Sequence, residues 1–203
     1  MFITFEGIDG VGKSTQADLL QEWLIQQGHD VLRTMEPGGT ELGVEIRHLL
    51  LPRRGEVSAR SEALLYAADR AHHVATKIRP ALAAGKVVIS DRYFDSSVAY
   101  QGAARELDVE EVRNISLWAV DNLLPDLTVL LDLPAAKALE RRAETGQEPD
   151  RLEREQAEFF ERARSQYLKL AAAEPQRFLV VDAQHDPATI QQEIRQRFLV
   201  LAG

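Results

Sequence analysis

A chain of 203 residues, 45% apolar and 28% charged, has the size and mixture expected of one globular domain that buries roughly 70% of the surface of its unfolded form. The 24 basic and 32 acidic residues leave a formal charge of -8, which repels polyanions, so no nucleic-acid partner is expected and any phosphate site has to be local. The lack of cysteine excludes disulfides, thiol catalysis and cysteine-ligated metal; no apolar run approaches the roughly 20 residues that span a bilayer, and the N-terminus has no basic leader, so the expected setting is cytoplasmic, without a membrane partner.

In chain order, Phe2 to Phe5 reads as a buried strand and Lys13 to Gln27 as a helix closed by Gly28. Between them Gly7-Ile8-Asp9-Gly10-Val11-Gly12-Lys13-Ser14 matches G-x-x-x-x-G-K-[ST], in the strand-to-helix setting this motif requires. Glycines let backbone amides turn inward around an anion, and the helix directs its positive end at the same point. Lys13 adds a full charge for the outer phosphates, and Ser14 is the expected magnesium ligand. The segment from Gly7 to Thr15 is therefore the expected binding site for a nucleoside triphosphate.

A second strand spans Asp30 to Thr34, followed by Glu36-Pro37-Gly38-Gly39-Thr40, which by itself reads only as a turn. The amphipathic stretch from Glu41 to Leu51 turns Ile46 and Leu49 or Leu50 inward and leaves Arg47 to project towards a cleft. A long helix is expected from Ser58 to Ala84 and a strand from Lys86 to Ser90. After that strand, Asp91-Arg92-Tyr93-Phe94-Asp95-Ser96-Ser97-Val98-Ala99-Tyr100-Gln101-Gly102 reads as a polar, aromatic pocket rather than core. Asp91 can reach magnesium, and Arg92 offers a planar fork for a phosphate. A helix from Asp108 to Leu123, strands at Leu127 to Leu133 and Arg177 to Val181, and a helix opened by Asp186-Pro187 and running to Leu201 complete the reading.

Alternating strands and helices joined by right-handed crossovers give an α/β fold, a five-stranded parallel sheet with helices on both faces. Ligands then sit beyond the C-terminal strand ends. No Asn-Lys-x-Asp guanine reader follows a late strand, which disfavours a GTPase. The residues leave open a kinase of nucleotides or nucleosides and a module that binds ATP without turnover.

The phosphate loop together with Glu36-Pro37-Gly38-Gly39-Thr40, Tyr66-Ala67-Ala68-Asp69-Arg70, Asp91-Arg92-Tyr93 with Ser97, Tyr100 and Gln101, and Asp150-Arg151-Leu152-Glu153 resembles the thymidylate kinase family along almost the whole chain. The resemblance implies a single P-loop domain over residues 1 to 203, with ATP as donor, thymidine 5'-monophosphate as acceptor, Mg2+ as cofactor and a homodimer. It implies that Asp9 approaches the acceptor's 3'-hydroxyl and phosphate, that Arg92 and Arg47 hold its phosphate, and that Arg70 and Ser97 address the thymine edge. Tyr66 takes the stacking position, Tyr100 crowds the sugar 2' position, Gln101 lies beside the base, and Glu36 and Pro37 complete the acceptor site. Catalysis is assigned to Lys13, Arg92, Asp9 and Arg151. Val11 stands where one subtype carries a loop arginine, so the chain resembles the subtype with arginines in a lid, here residues 141 to 154, in which Arg141 serves ATP. Thr145 and Met35 replace arginines common in relatives.

Overall fold

A computed structural model of the chain describes residues 1–51, 57–144 and 155–203. Five strands, β1 (Phe2–Glu6), β2 (Val31–Met35), β3 (Val87–Asp91), β4 (Leu127–Asp132) and β5 (Phe178–Asp182), form one parallel sheet in the order β2-β3-β1-β4-β5. The three inner strands are apolar runs with nearly every residue buried, as strands covered on both faces must be. The edge strands β2 and β5 are partly exposed. β1 lies between β3 and β4, and the chain crosses from one side of the sheet to the other around it. That is the topological switch where a doubly wound sheet opens a crevice at its C-terminal edge.

The helices follow their local signals. α1 (Lys13–Gln26) ends at Gly28, whose φ of 88° permits the left-handed turn. α2 (Glu41–Leu50) is capped by the Thr40 hydroxyl, which accepts the Gly43 amide at 3.0 Å; it buries Ile46 and Leu50 and leaves Leu49 outside. Ser58 caps α3 (Ala59–His73), which continues through a wide π turn at Val74–Ile78 into α4 (Arg79–Ala83). The single helix expected over this stretch is interrupted because Pro80 lacks an amide for the regular ladder. The stretch Asp91 to Gly102, expected as pocket rather than core, does both: α5 (Phe94–Ser97) and a second π turn, Val98–Ala104, bury Phe94, Val98 and Ala99 under the polar residues that face the cleft.

α6 (Val109–Ala119), capped by Asp108, stops four residues short of the expected Leu123. Asp121 and Asn122 there adopt φ of 48° and 53°, left-handed conformations these two residue types tolerate best outside glycine. Two helices went unassigned from the sequence, α7 (Ala135–Ala143) and α8 (Ala157–Ala173). α8 buries Phe159, Phe160, Ala163, Tyr167, Leu170 and Ala171, a three-and-four spacing of an ordinary core-facing helix. α9 (Pro187–Ala202) begins as expected, with the Asp186 carboxylate accepting the Ala188 and Thr189 amides at 3.0 and 3.1 Å.

Candidate active site

The phosphate loop leaves β1 and enters α1 through three glycines with φ of 133°, 84° and 95° at Gly7, Gly10 and Gly12. A Cβ on Gly7 would lie 2.5 Å from the Leu131 carbonyl oxygen, and one on Gly10 would strike the Ala138 carbonyl, so the loop is pressed between the end of β4 and α7. Ile8 and Val11 are buried in the core, which leaves their backbones, not their side chains, to face a ligand. Lys13 folds back across the loop and donates from Nζ to the Ile8 carbonyl at 2.9 Å. Burial, then the nearby Arg92, lowers the Lys13 pKa to about 8 against the opposing pull of Asp9, Asp91 and Glu6.

At the mouth of the loop the Ser14 hydroxyl donates to Asp91 Oδ2 at 2.6 Å, joining the first turn of α1 to the end of β3. Arg33 Nη2 lies 3.6 Å from the same carboxylate oxygen. An alcohol and a carboxylate beside a phosphate loop are the hard oxygen donors that suit Mg2+, which commonly takes few protein ligands and completes its shell with water and phosphate.

Arg92 is the hub of the cleft. Its backbone is left-handed, φ 70°, which for a side-chain-bearing residue is strain held in place by its surroundings. Nη1 donates to the Gly7 carbonyl and Ser96 Oγ, both at 3.1 Å, and to the Tyr167 hydroxyl at 3.3 Å; Nη2 donates to Asp9 Oδ1 at 2.7 Å and to the Tyr100 hydroxyl at 3.3 Å. The Tyr100 hydroxyl in turn donates to Asp9 Oδ2 at 3.1 Å. Burial alone would raise the Asp9 pKa, but Arg92 and then Lys13 outweigh it and hold the carboxyl well below the usual carboxylate range.

Beyond Arg92 lies a cavity of about 120 Å³ whose walls include Tyr66, Arg70, Ser97, Tyr100 and Gln101. Arg70 is almost completely buried: Nε donates to Glu36 Oε2 at 2.6 Å and Nη2 to Ser97 Oγ and the Tyr93 carbonyl, both at 3.2 Å. Its Nη1 has no hydrogen-bond partner among the described residues. A buried donor in a cavity wall is costly unless a ligand acceptor meets it. Glu36 Oε1 is bound by His73 Nδ1 at 2.9 Å, and the His73 ring reaches Thr34 Oγ1 at 2.7 Å, so Glu36 enters the site as the anchor of Arg70. Gln101 Nε2 donates to the buried Glu62 at 2.9 Å, and Arg47 donates to the Pro37 carbonyl at 3.0 Å.

A second, more open space of about 460 Å³ lies over the phosphate loop, bordered by Lys13, Ser14, Asp91, Arg141 and Arg142. Asp9, Glu36, Arg47 and Arg92 line both spaces and so form their common wall. The structure thus brings the expected loop, strand-end and helix residues into one cleft. Arg141 borders it while donating to the Ala183 carbonyl at 2.8 Å, whereas Arg151 and most of the expected lid lie outside the described residues. Sequence reasoning placed Ser96 in the pocket stretch without a role of its own, and missed Glu6 and Tyr167 beneath Arg92 and His73 and Glu62 behind Arg70 and Gln101. Glu6, a carboxylate closing an apolar strand, was a readable signal, and so was His73, one helical turn after Arg70.

The model of the family described as thymidylate kinase matches residues 5–194. A curated relative named thymidylate kinase from Clavibacter sepedonicus is 62% identical over 99% of this chain and 95% of its own length, and another of that name from Leifsonia xyli is 62% identical over 97% and 93%. A crystal structure of thymidylate kinase from Ehrlichia chaffeensis, 32% identical, superposes with a TM-score of 0.78 over 98% of both chains. The chain belongs to the thymidylate kinase family.

Proposed function

We propose a division of labour among the residues of the cleft for the family's reaction, in which the chain moves the terminal phosphoryl group of ATP to thymidine 5'-monophosphate, a step in the supply of dTTP. The observation that carries the reading is the common wall: a triphosphate over Lys13 and a monophosphate ester beside Arg70 would meet at Asp9, Arg47 and Arg92. In-line phosphoryl transfer needs that meeting point and cations around it more than it needs a covalent group on the protein.

In this division Gly7 to Thr15 hold the triphosphate, with Lys13 on its outer charge. Arg92 and Arg47 hold the acceptor phosphate, and Asp9 fixes the guanidinium of Arg92 and faces the sugar. Tyr66 stacks on the base, Arg70, anchored by Glu36, and Ser97 meet its edge, Pro37 lines the same side of the acceptor cavity, Gln101 lies beside the base, and Tyr100 packs where a 2'-hydroxyl would come. Ser14 and Asp91 would hold Mg2+, which when bound neutralises charge on the outer phosphates. Arg141 and Arg151, within a lid of residues 141 to 154, would close over the donor and exclude water, all within a single domain spanning the chain.

The assembly is proposed to be a homodimer in the cytoplasm. Among the described residues no helix is long and apolar enough to cross a membrane. Trp118 is 80% exposed on α6 and Leu64 is 53% exposed on α3, and the Arg60–Glu111 ion pair sets these two helices side by side. By helical periodicity each apolar residue lies on the face carrying its helix's member of that pair, so together they offer a patch for a second copy.

Incubation with ATP, Mg2+ and a panel of nucleoside monophosphates and nucleosides, with ADP release as the readout, tests the site assignment through variants. Tyr66→Ala and Arg70→Ala should raise KM for thymidine monophosphate and leave KM for ATP in place. The reverse pattern would place the base in the other compartment.

A further inference from the structure

The last residue of β1 is a carboxylate for which the division of labour above has no use. Glu6 is fully buried beneath the cleft. Its hydrogen-bond partners are neutral donors from three places in the chain: the Tyr93 amide at 2.8 Å to Oε1, and the Ser96 and Tyr167 hydroxyls at 2.6 and 2.9 Å to Oε2. An ionised carboxylate can only accept, so both hydroxyl protons point at Glu6 and both oxygens turn their lone pairs away from it. Those same two oxygens receive Arg92 Nη1, at 3.1 and 3.3 Å. They lie only 2.8 Å from one another, a crowding of lone pairs that the guanidinium offsets.

We propose that Glu6 is a positioning residue for the acceptor phosphate: acting through the hydroxyls of Ser96 and Tyr167, it makes both of them acceptors and so locks the Nη1 edge of Arg92. The inference rests on Arg92 holding that phosphate. A neutral group of the same shape at position 6 has to turn its hydrogen either towards the Tyr93 amide, where donor meets donor, or towards a hydroxyl, which then spends its lone pair on position 6 and its proton on Arg92, where like partial charges meet. The Nη1 edge is released while the Nη2 contacts to Asp9 and Tyr100 remain.

The groups facing Glu6 bear on how the effect varies with pH. Asp95 and Ser96 on α5, Tyr167 on α8, Arg92 after β3 and Lys13 on α1 surround it. Burial, then Asp95, pushes the Glu6 pKa up to about 7, against Ser96, Arg92 and Tyr167. As pH falls through that value the protonated acid presents the same wrong hydrogen that a glutamine would, so affinity for the acceptor weakens on the acid side.

The test is calorimetric affinity for thymidine monophosphate, without donor, across pH 5.5 to 8.5 in the wild type, Glu6→Gln and Arg92→Ala. Glu6→Gln is expected to weaken binding about ten-fold at pH 8, the scale of one hydrogen bond to a charged group, to leave KM for ATP unchanged, and to flatten the acid-side loss that the wild type shows beyond titration of the nucleotide itself. Arg92→Ala weakening the acceptor while Glu6→Gln binds like the wild type overturns the positioning role; Arg92→Ala leaving affinity unchanged overturns instead the reading on which it rests. If Glu6→Gln does not fold, Tyr167→Phe and Ser96→Ala take its place, and full affinity in both sinks the proposal.

Discussion

Asp9 and Arg92, 83 residues apart in sequence, meet at 2.7 Å in the wall between the two halves of the cleft. One stands in the phosphate loop and the other just past β3, so the parallel pairing of β1 with β3, Phe5 opposite Asp91, is what brings them together. The pair neutralises part of the positive charge that Lys13 and Arg92 concentrate there. It also holds the guanidinium in the wall that the two spaces of the cleft share.

Asp9→Asn keeps an oxygen for Arg92 but removes the charge. Turnover should fall by about 10², the scale for a group that orders charge around a transition state, with the thermal midpoint little changed. Because Arg92 and Lys13 keep Asp9 ionised far below neutrality, no limb of the wild-type pH profile between pH 5 and 9 belongs to it. Steady-state kinetics of the variant settle the matter; near-normal kcat would remove Asp9 from the catalytic set.

The 2.6 Å contact between Ser14 and Asp91 sets up a metal prediction. Ser14→Ala and Asp91→Asn should each raise the Mg2+ concentration at half-maximal rate, by about 10- to 100-fold, while saturating Mg2+ restores more activity to the serine variant than to the asparagine one, which has lost a charge. A Mg2+ titration at fixed ATP reads this directly. Identical half-maximal concentrations in wild type and both variants would move the cation elsewhere.

The sequence carried the sheet, the phosphate loop and the strand-end residues because each is written locally: apolar runs, glycines at forced turns, polar residues where a strand stops. Elements whose identity depends on partners far along the chain were harder to read. Phe159, Phe160, Ala163 and Tyr167 have helical spacing, yet the stretch went unassigned, because what α8 packs against is the distant turn that carries Tyr100. The network below Arg92 draws on residues 6, 96 and 167, so no window of sequence contains it. Glu36 was read as a ligand-binding residue, and the structure shows why an acid is there at all: a buried Arg70 has to be charge-balanced before it can serve the cavity.

Trp118 provides a test of assembly that is separate from the chemistry. A tryptophan 80% exposed on α6, away from the cleft, is apolar area left for a partner. Trp118→Glu should convert a dimeric species to one of 22.7 kDa in sedimentation equilibrium without changing the circular dichroism of the helices. A wild type that sediments only at the single-chain mass discards the dimer, and a variant that stays dimeric discards this face.

Lys13 yields opposite predictions for activity and for stability. Its ammonium has a pKa of about 8 in the free protein, chiefly because burial disfavours the charge. Phosphate binding requires the charged form, so kcat/KM for ATP should decline as pH rises through about 8. Bound phosphates favour the ammonium, so kcat itself should hold to higher pH. For folding the sign reverses. The folded-state value lies below the ordinary 10.5, so between about 8 and 10.5 the unfolded chain binds more protons, and this group's contribution to stability rises with pH across that window. Below pH 8 the buried charge is a standing penalty, which Lys13→Met removes. That variant should lose turnover by about 10² to 10³ yet unfold at higher denaturant than the wild type at pH 7.5, with the difference shrinking at pH 9.5. Denaturant titrations at the two pH values, set beside the kinetics, check both signs, and a variant less stable than the wild type at pH 7.5 would contradict the account of Lys13 as a charge held in place for its ligand.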